Sequence, residues 1–250
     1  MNTQKLLISV IIPAYNEENY IGKCLDSLQK QTLNRNLYEI IVIDNASTDK
    51  TSAIVKKYPV KLIFEKRKSV VIARQKGVDN SRGNIIVSAD ADTIYPPHWL
   101  KRIYVSFSQH PQLVGLVGWI YYSHTPAWFN FTLSLIQRAN LWLGKTTGKF
   151  PIVYAANFCF KKSALKKIGG YPAHLPELGD QQYVLFKLRP FGPIMINPAV
   201  YCHTSPRKLT GNYLRNFLIY NGWHRLVGFL INSLLKRPVI GPTPAQRSHF

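Results

Sequence analysis

Two aspartates two residues apart, Asp90 and Asp92, follow the apolar run Asn84–Ala89 and can aim carboxylate oxygens at one divalent cation. A hard ion such as Mg²⁺ or Mn²⁺ takes oxygen ligands and bridges readily from carboxylate to diphosphate, so the pair suits chemistry in which a phosphorylated group departs. A lone D-x-D is a weak signal; its weight comes from standing directly after the buried-type run IIVSA. Asp44 ends another apolar run, Glu39–Asp44. Its carboxylate can accept a hydrogen bond from a base edge, or it can cap the next helix, a task that Ser47 or Asp49 also fits. After the first apolar run, Leu6–Ile12, stand Pro13, Tyr15 and Glu17. Tyr15 suits stacking or packing, and Glu17 suits a ribose hydroxyl or a helix cap. No G-x-G-x-x-G and no G-K-[ST] is present. Phosphates are therefore not cradled by a glycine-opened loop, and their charge must be met by another route.

These residues share one kind of place. Leu6–Ile12 reads as a buried parallel strand closed by Pro13. Ile21, Cys24, Leu25 and Leu28 recur at the spacing of one helix face. Glu39–Asp44 is a second strand, and Ser47-Thr48-Asp49 offers a cap for a helix running to about Tyr58. Val60–Phe64 is a third strand, Val70–Asn80 a helix and Asn84–Ala89 a fourth strand; Pro96-Pro97 then opens another helix, with proline in its permitted first turn. This alternation predicts right-handed crossovers and an α/β fold with a mostly parallel, Rossmann-like sheet covered by helices on both faces. In such a sheet the ligand site lies at the carboxyl ends of the strands, where Asp44, Asp90 and Asp92 all fall.

Beyond residue 110 the pattern is less regular. Leu113–Tyr122 and Ile152–Lys161 read as strands flanking a Trp-rich helical stretch that includes Trp128 and Trp142. Asp180–Leu188 reads as a helix, Ile194–His203 contains a strand, and Asn212–Leu235 forms an amphipathic, aromatic-rich helical tail. The uncharged apolar piece Leu226–Leu235 is about half the ~20 residues a spanning helix needs, so the tail suits lying on a membrane rather than crossing it. The organisation read from these elements is one domain in two halves, over 1–110 and 111–210, followed by the tail over 211–250.

At 250 residues and 46% hydrophobic, the chain can bury one substantial core with at most a small appendage. Cys24, Cys159 and Cys202 form no C-x-x-C pair and read as reduced packing thiols. The net charge of +20 is uneven: residues 1–110 carry 16 Lys and Arg against 10 Asp and Glu, residues 111–250 carry 16 against 2. An acid-starved half attracts polyanions, whether nucleic acid, anionic lipid head groups or phosphorylated substrates, and charge alone does not choose among them. No leading segment joins a basic start, an apolar run and a small-residue cleavage site, so a cytoplasmic protein, peripheral on the inner face of the cell membrane, is expected.

Taken in order, SVIIPAYNEE, EIIVIDNASTDKT, ARQKGV and IIVSADADTIYPPHWL resemble the family 2 glycosyltransferases of GT-A fold. That family's pattern runs strand, P-x-Y-N-E; strand, D-D/N-x-S-x-D; A-R-N-x-G; strand, D-x-D. The match covers residues 7–100 at nearly every motif position and loosens beyond 110. The resemblance implies a GT-A fold and transfer of a sugar from a nucleotide-diphosphate donor, with Mn²⁺ or Mg²⁺ as cofactor. It also implies that Pro13, Tyr15 and Glu17 line the nucleoside pocket, that Asp44 reads the base and that Arg74 lies near the diphosphate. Asp90 would face the sugar or ribose, and Asp92 would hold the metal. Asn45 stands where many relatives have a second Asp, and Gln75 where Asn is common; neither change disables the pattern.

In the second half, Gly179-Asp180-Gln181-Gln182-Tyr183 with Phe186–Gly192 resembles the family's G-E-D-x-(D/E)-L…R-L-R-x-x-G acceptor segment, with Gln181 at the usual base position. Glu177 and Asp180 are the only acids in this half, so a hydroxyl acceptor's proton falls to one of them, with Asp180 first. His203 matches a position where some GT-A enzymes supply a late metal ligand, and an imidazole would favour Mn²⁺; a local hydrogen bond serves equally well. No Q-x-x-R-W follows Asp180, which argues against a processive synthase. The leading reading is an inverting transferase acting on a hydroxyl of a glycan or lipid-linked glycan. A polyprenyl phosphate acceptor, which needs no base, is the alternative, and a non-catalytic sugar-nucleotide binder stands behind it. A nucleic-acid binder is disfavoured, because no RNP, KH or zinc-finger signature is present.

Overall fold

The computed structural model describes residues 7–147, 153–172 and 180–209. The strands are β1 (Ile8–Ala14), β2 (Tyr38–Asp44), β3 (Lys61–Phe64), β4 (Ile85–Ser88), β5 (Thr93–Ile94), β6 (Gly115–Tyr122), β7 (Phe158–Lys161) and β8 (Ile194–Thr204). The helices are α1 (Ile21–Gln29), α2 (Thr51–Val55), α3 (Val70–Asp79), α4 (Trp99–Gln109), α5 (Ala127–Thr147), α6 (Lys162–Lys167) and α7 (Asp180–Leu188). The strands join in one sheet of order β3-β2-β1-β4-β7-β6-β8-β5. β1 pairs in parallel with both β2 and β4, and β2 with β3. β7 runs against both β4 and β6, β8 runs parallel to β6, and β5 lies antiparallel to β8.

The expected α/β architecture is present, and its parallel character is concentrated in the first half. β1 and β2 are buried on both faces, which is why they read as unbroken apolar runs. Alternation along β1 sends Val10 and Ile12 to one core, shared with α1, α4 and the first turns of α5, and Ile11 to the other, shared with α3, α6 and α7. α3 sits close to the sheet because Gly77 has no Cβ: one placed there would strike the side chains of Ile11 and Ile43.

Several expected elements differ in length for identifiable reasons. The helix drawn to Tyr58 ends at Val55, where the Lys56 N–H turns back to the Ser52 and Ile54 carbonyls. Pro96 and Pro97 precede α4 rather than begin it; the Pro96 carbonyl accepts the Trp99 N–H at 2.9 Å. The described part of the strand expected over 152–161 is extended only from Phe158, because residues 155–157 make a 3₁₀ turn. That turn buries Asn157, whose amide reaches the Trp119 and Val200 carbonyls at 2.8 and 3.0 Å and accepts the Trp99 indole N–H at 2.9 Å. Among the described strands and α-helices, two were not anticipated, the two-residue β5 and the six-residue α6. The three cysteines are free and buried, as packing thiols should be. The tail over 211–250 and Glu177 lie outside the described residues.

Candidate active site

The carboxyl ends of β1, β2, β4, β6 and β8 share one edge of the sheet, and two loops there are laced by side-chain-to-backbone bonds. The Asn16 N–H donates to Ser47 Oγ at 3.0 Å, the Glu17 N–H to Thr51 Oγ1 at 2.7 Å and the Glu18 N–H to Asp49 Oδ2 at 3.0 Å. In return Asn16 Oδ1 accepts the Thr48 N–H at 2.8 Å and Glu18 Oε2 the Lys50 N–H at 3.0 Å. Asn16 has φ 53°, a left-handed conformation that asparagine tolerates better than most residues, and the conformation sets up this lacing. The motif P-A-Y-N-E therefore also has a structural task.

Pro13 is the penultimate residue of β1 and pairs with Ile43, while Ala14 ends that strand beside Asp44, which ends β2. Asp44 is 2% exposed; its carboxylate accepts the Ser47 N–H at 2.9 Å and the Ser52 hydroxyl, so it does the turn-capping work as well as facing the edge. Asp49 caps Thr51 through both its N–H and its hydroxyl. Tyr15 is half-buried, with the Lys68 ammonium 3.0 Å from its hydroxyl and 5.0 Å from its ring centroid. Asn45, where relatives carry a second Asp, donates to the carbonyls of Glu65 and Arg67 and anchors the loop leading to α3.

Arg74, on α3, reaches two carboxylates. Its guanidinium lies 2.6 Å from Asp180 at the start of α7 and 3.3 Å from Asp90 after β4. Arg74 and Asp180 are 4% and 1% exposed, whereas Asp90 is 33% exposed. The A-R-x-x-G segment, the D-x-D and the acidic start of α7 thus meet at one side chain. Gln181, beside Asp180, is buried and hydrogen-bonds Ser88 Oγ at 3.1 Å and the Tyr171 hydroxyl at 3.2 Å. Its amide cannot accept a proton at neutral pH. Gln75 holds the Tyr171 N–H at 2.8 Å, and Tyr95 accepts the Asp90 N–H at 2.9 Å.

Asp92 is held from the other end of the chain. Its Oδ2 lies 2.9 Å from Arg207 Nε, and the Thr93 and Thr204 hydroxyls stand 3.5 Å from its Oδ1. The same guanidinium forks onto Glu17 at 2.7 and 2.5 Å and lies 4.7 Å over the Tyr20 ring. Burial opposes the charge of Arg207, but the hydrogen bonds it donates to Glu17 and the nearby Asp92 charge outweigh it and hold its pKa above the ordinary arginine value. Arg207 was not anticipated. The available signal was its position, a cation three residues after the last strand of the sheet, at the edge where the acids collect.

His203 pairs with Ile94 across β5 and β8. Thr204 faces Asp92, so strand alternation turns His203 to the other side, where its ring lies 5.8 Å from Tyr121 and 5.7 Å from Tyr201 and burial lowers its pKa. Among the described residues no three His, Cys, Asp or Glu side chains gather as a ready metal-binding group. A cavity of about 690 Å³ lies at the opposite, amino-end edge of the sheet. Its cations Arg35 and Lys61 are bonded to backbone carbonyls and Arg82 is paired with Glu39, so it lies apart from the strand-end acids.

Residues 9–169 match the sequence model of glycosyl transferase family 2. Glycosyltransferase AglE of Haloferax volcanii is 28% identical over 179 residues, which is 69% of this chain and 58% of that protein. The Methanococcus voltae dolichyl N-acetyl-alpha-D-glucosaminyl phosphate 3-beta-D-2,3-diacetamido-2,3-dideoxy-beta-D-glucuronosyltransferase is 32% identical over 122 residues, 44% of this chain and 38% of that protein. The chain therefore spans little more than half of the first relative and well under half of the second. Mannosyltransferase PcManGT of Pyrobaculum calidifontis, solved with GDP-Man and Mn²⁺, superposes with a TM-score of 0.71 at 22% identity over 94% of this chain and 64% of its own. S. aureus TarS 1-349 in complex with UDP-GlcNAc gives 0.67 at 20% identity over 84% and 61%. With the motif residues assembled on one sheet edge and the family's sequence model spanning well over half of its length, the chain belongs to glycosyl transferase family 2 and has the GT-A fold.

Proposed function

We propose that this protein moves a sugar, with inversion, from a nucleoside-diphosphate donor to a hydroxyl of a glycan or lipid-linked glycan, with Mn²⁺ or Mg²⁺ carried at Asp92. The observation that carries this reading is the pair of arginine bridges, Arg74 between Asp90 and Asp180 and Arg207 between Glu17 and Asp92. They bring four acids and two cations to one strand edge, a composition suited to a diphosphate and a proton acceptor. The donor set fits a hard divalent ion: it consists of carboxylate oxygens, and a cation already stands on Asp92. When bound, such an ion supplies charge neutralisation for the departing nucleoside diphosphate. His203 takes part in ion binding only if its ring leaves Tyr121 and Tyr201.

The chain's own residues supply the rest. Pro13, Tyr15 and Asp44 line the nucleoside side, and Arg74 orients Asp90 toward the sugar or ribose. The acceptor oxygen attacks the anomeric carbon, the bond from that carbon to the diphosphate oxygen breaks, and the hydroxyl proton passes to Asp180. Glu177 is the other acid of this half. A single displacement with the base opposite the leaving group inverts the anomeric centre. PcManGT was solved with GDP-Man and TarS with UDP-GlcNAc, so both nucleotides are candidates for the donor. The test is a thermal-shift comparison of GDP-mannose, UDP-GlcNAc and dTDP-glucose with and without Mn²⁺. A rise in Tm with one donor that needs Mn²⁺ is expected; no rise with any donor would refute the assignment.

One observation favours a second reading. Asp180 is buried against Arg74, and Gln181 stands at the usual base position, so an acceptor that is already an anion, a polyprenyl phosphate, suits the site without a base. A membrane surface fits both readings. Trp128, Phe131, Leu135 and Trp142 are 50–64% exposed on α5, which carries Arg138 and Lys145 and no acid. An apolar face on a basic helix suits an anionic lipid interface. No helix among the described residues is long and apolar enough to cross a membrane.

A further inference from the structure

We infer that Arg207 is a stand-in cation: it occupies Asp92 until a metal ion arrives together with a nucleoside diphosphate, then stays on Glu17 and turns its released N–H to the diphosphate. This rests on the assignment of the ion to Asp92 and goes beyond it by naming what the ion must displace.

The division of contacts on the guanidinium carries the inference. The two terminal nitrogens fork onto Glu17 at 2.7 and 2.5 Å, while Nε serves Asp92 at 2.9 Å. A forked carboxylate pair is the stronger of the two anchors, so the contact with Asp92 can break while the side chain stays on Glu17. The backbone assists: the Ser205 N–H donates to the Asp92 carbonyl at 3.1 Å, and the Arg207 N–H donates to Ser205 Oγ at 3.3 Å. The loop therefore remains attached to the D-x-D strand end while the guanidinium pivots over Tyr20.

A bare divalent ion approaching Asp92 meets a fixed positive charge on the same carboxylate. Like charges at contact distance in a partly buried site repel strongly, so free metal binds weakly. A nucleoside diphosphate brings enough negative charge for both cations, so metal and nucleotide bind cooperatively and the site does not load a metal by itself. In the donor-free protein Arg207 also keeps Glu17 and Asp92 from repelling each other, which preserves the shape of the edge. In the donor-free protein Arg207 acts through Asp92 and Glu17; in the loaded site it contacts the diphosphate directly.

The experiment measures Mn²⁺ binding by the full chain, by electron paramagnetic resonance or calorimetry, alone and with saturating UDP or GDP, for wild type, R207Q, R207M and R207K. R207M keeps the apolar stem over Tyr20, and melting curves report whether each variant is folded. In R207Q and R207M, Mn²⁺ alone should bind about tenfold tighter than in wild type, and the gain from adding nucleotide should shrink by a similar factor. R207K, which keeps the charge, should stay near wild type. Equal affinity for Mn²⁺ alone in wild type and in folded R207Q or R207M overturns the inference while leaving the metal assignment intact. If no protein binds Mn²⁺ even with UDP and GDP, the inference and the metal assignment fall together.

Discussion

Because one guanidinium serves both Asp90 and Asp180, a substitution at either carboxylate changes what the other experiences. Asp180→Asn removes a buried charge facing Arg74 and should lower stability by about 3 kcal/mol, the lower end for breaking a buried pair, since Asp90 still holds the arginine. Urea denaturation measures that cost. The same variant should lose on the order of 10²-fold or more in transfer to a hydroxyl acceptor while still binding donor. Normal transfer to a hydroxyl would remove Asp180 as the base, and transfer retained only with a polyprenyl phosphate would select the second reading. Asp92→Ala should abolish turnover, and full activity in that variant or in excess EDTA would end the metal assignment. At this scale the sequence was informative wherever function depends on position after a strand: Asp44, Asp90 and Asp92 follow apolar runs, and all three lie on the edge expected of them. Arg207 was marked in the sequence only by its place after the last strand; its partner Glu17 is 190 residues away and no local pattern links the two.

Elements longer than two turns or five strand residues announced themselves by period and lay within a few residues of expectation. Those that went unseen were too short to show a period: β5 has two residues and α6 six. β5 exists because β8 offers it an antiparallel partner, a tertiary cause that local propensity does not encode. The turn between β3 and α3 carries a testable charge. Hydrogen bonds from the Arg67 side chain and backbone, opposed by burial and aided by Lys76, hold the Glu65 carboxyl at about 2, below its ordinary 4.5. A lowered carboxylate stabilises the fold above its unfolded value and loses that contribution as pH falls from about 4.5 toward 2. The urea midpoint of wild type should fall through that window more steeply than that of Glu65→Gln; parallel curves would show that the ion pair adds nothing. On α5, replacing Trp128, Phe131, Leu135 and Trp142 together by serine should leave the melting temperature nearly unchanged, since all four are exposed, yet reduce sedimentation with anionic vesicles. Undiminished sedimentation would exclude α5 as the contact.

At the scale of the molecule, the sheet interleaves the two halves that motif order separates. β7 lies between β4 and β6, so the chain beyond residue 110 supplies the strand that covers the edge of β4. A fragment ending at residue 110 would expose that edge and the side chains of Ile86 and Val87, which are fully buried in the whole protein. It should lack a cooperative thermal transition; a sharp transition at a temperature near that of the full chain would show that the half stands alone. The same seam governs how members of this family with the same strand order can be recombined. Splicing the first hundred residues of one relative onto the remainder of another would transplant the loops after β1 and β2, proposed to line the nucleoside side, together with a strand that must match Phe158, Cys159 and Phe160 residue for residue. Arg74, Glu17 and Asp92 would also need partners supplied by the other parent. On the proposed reading, donor preference is therefore not a cassette here: it can be exchanged only along with the side of the sheet that closes over it.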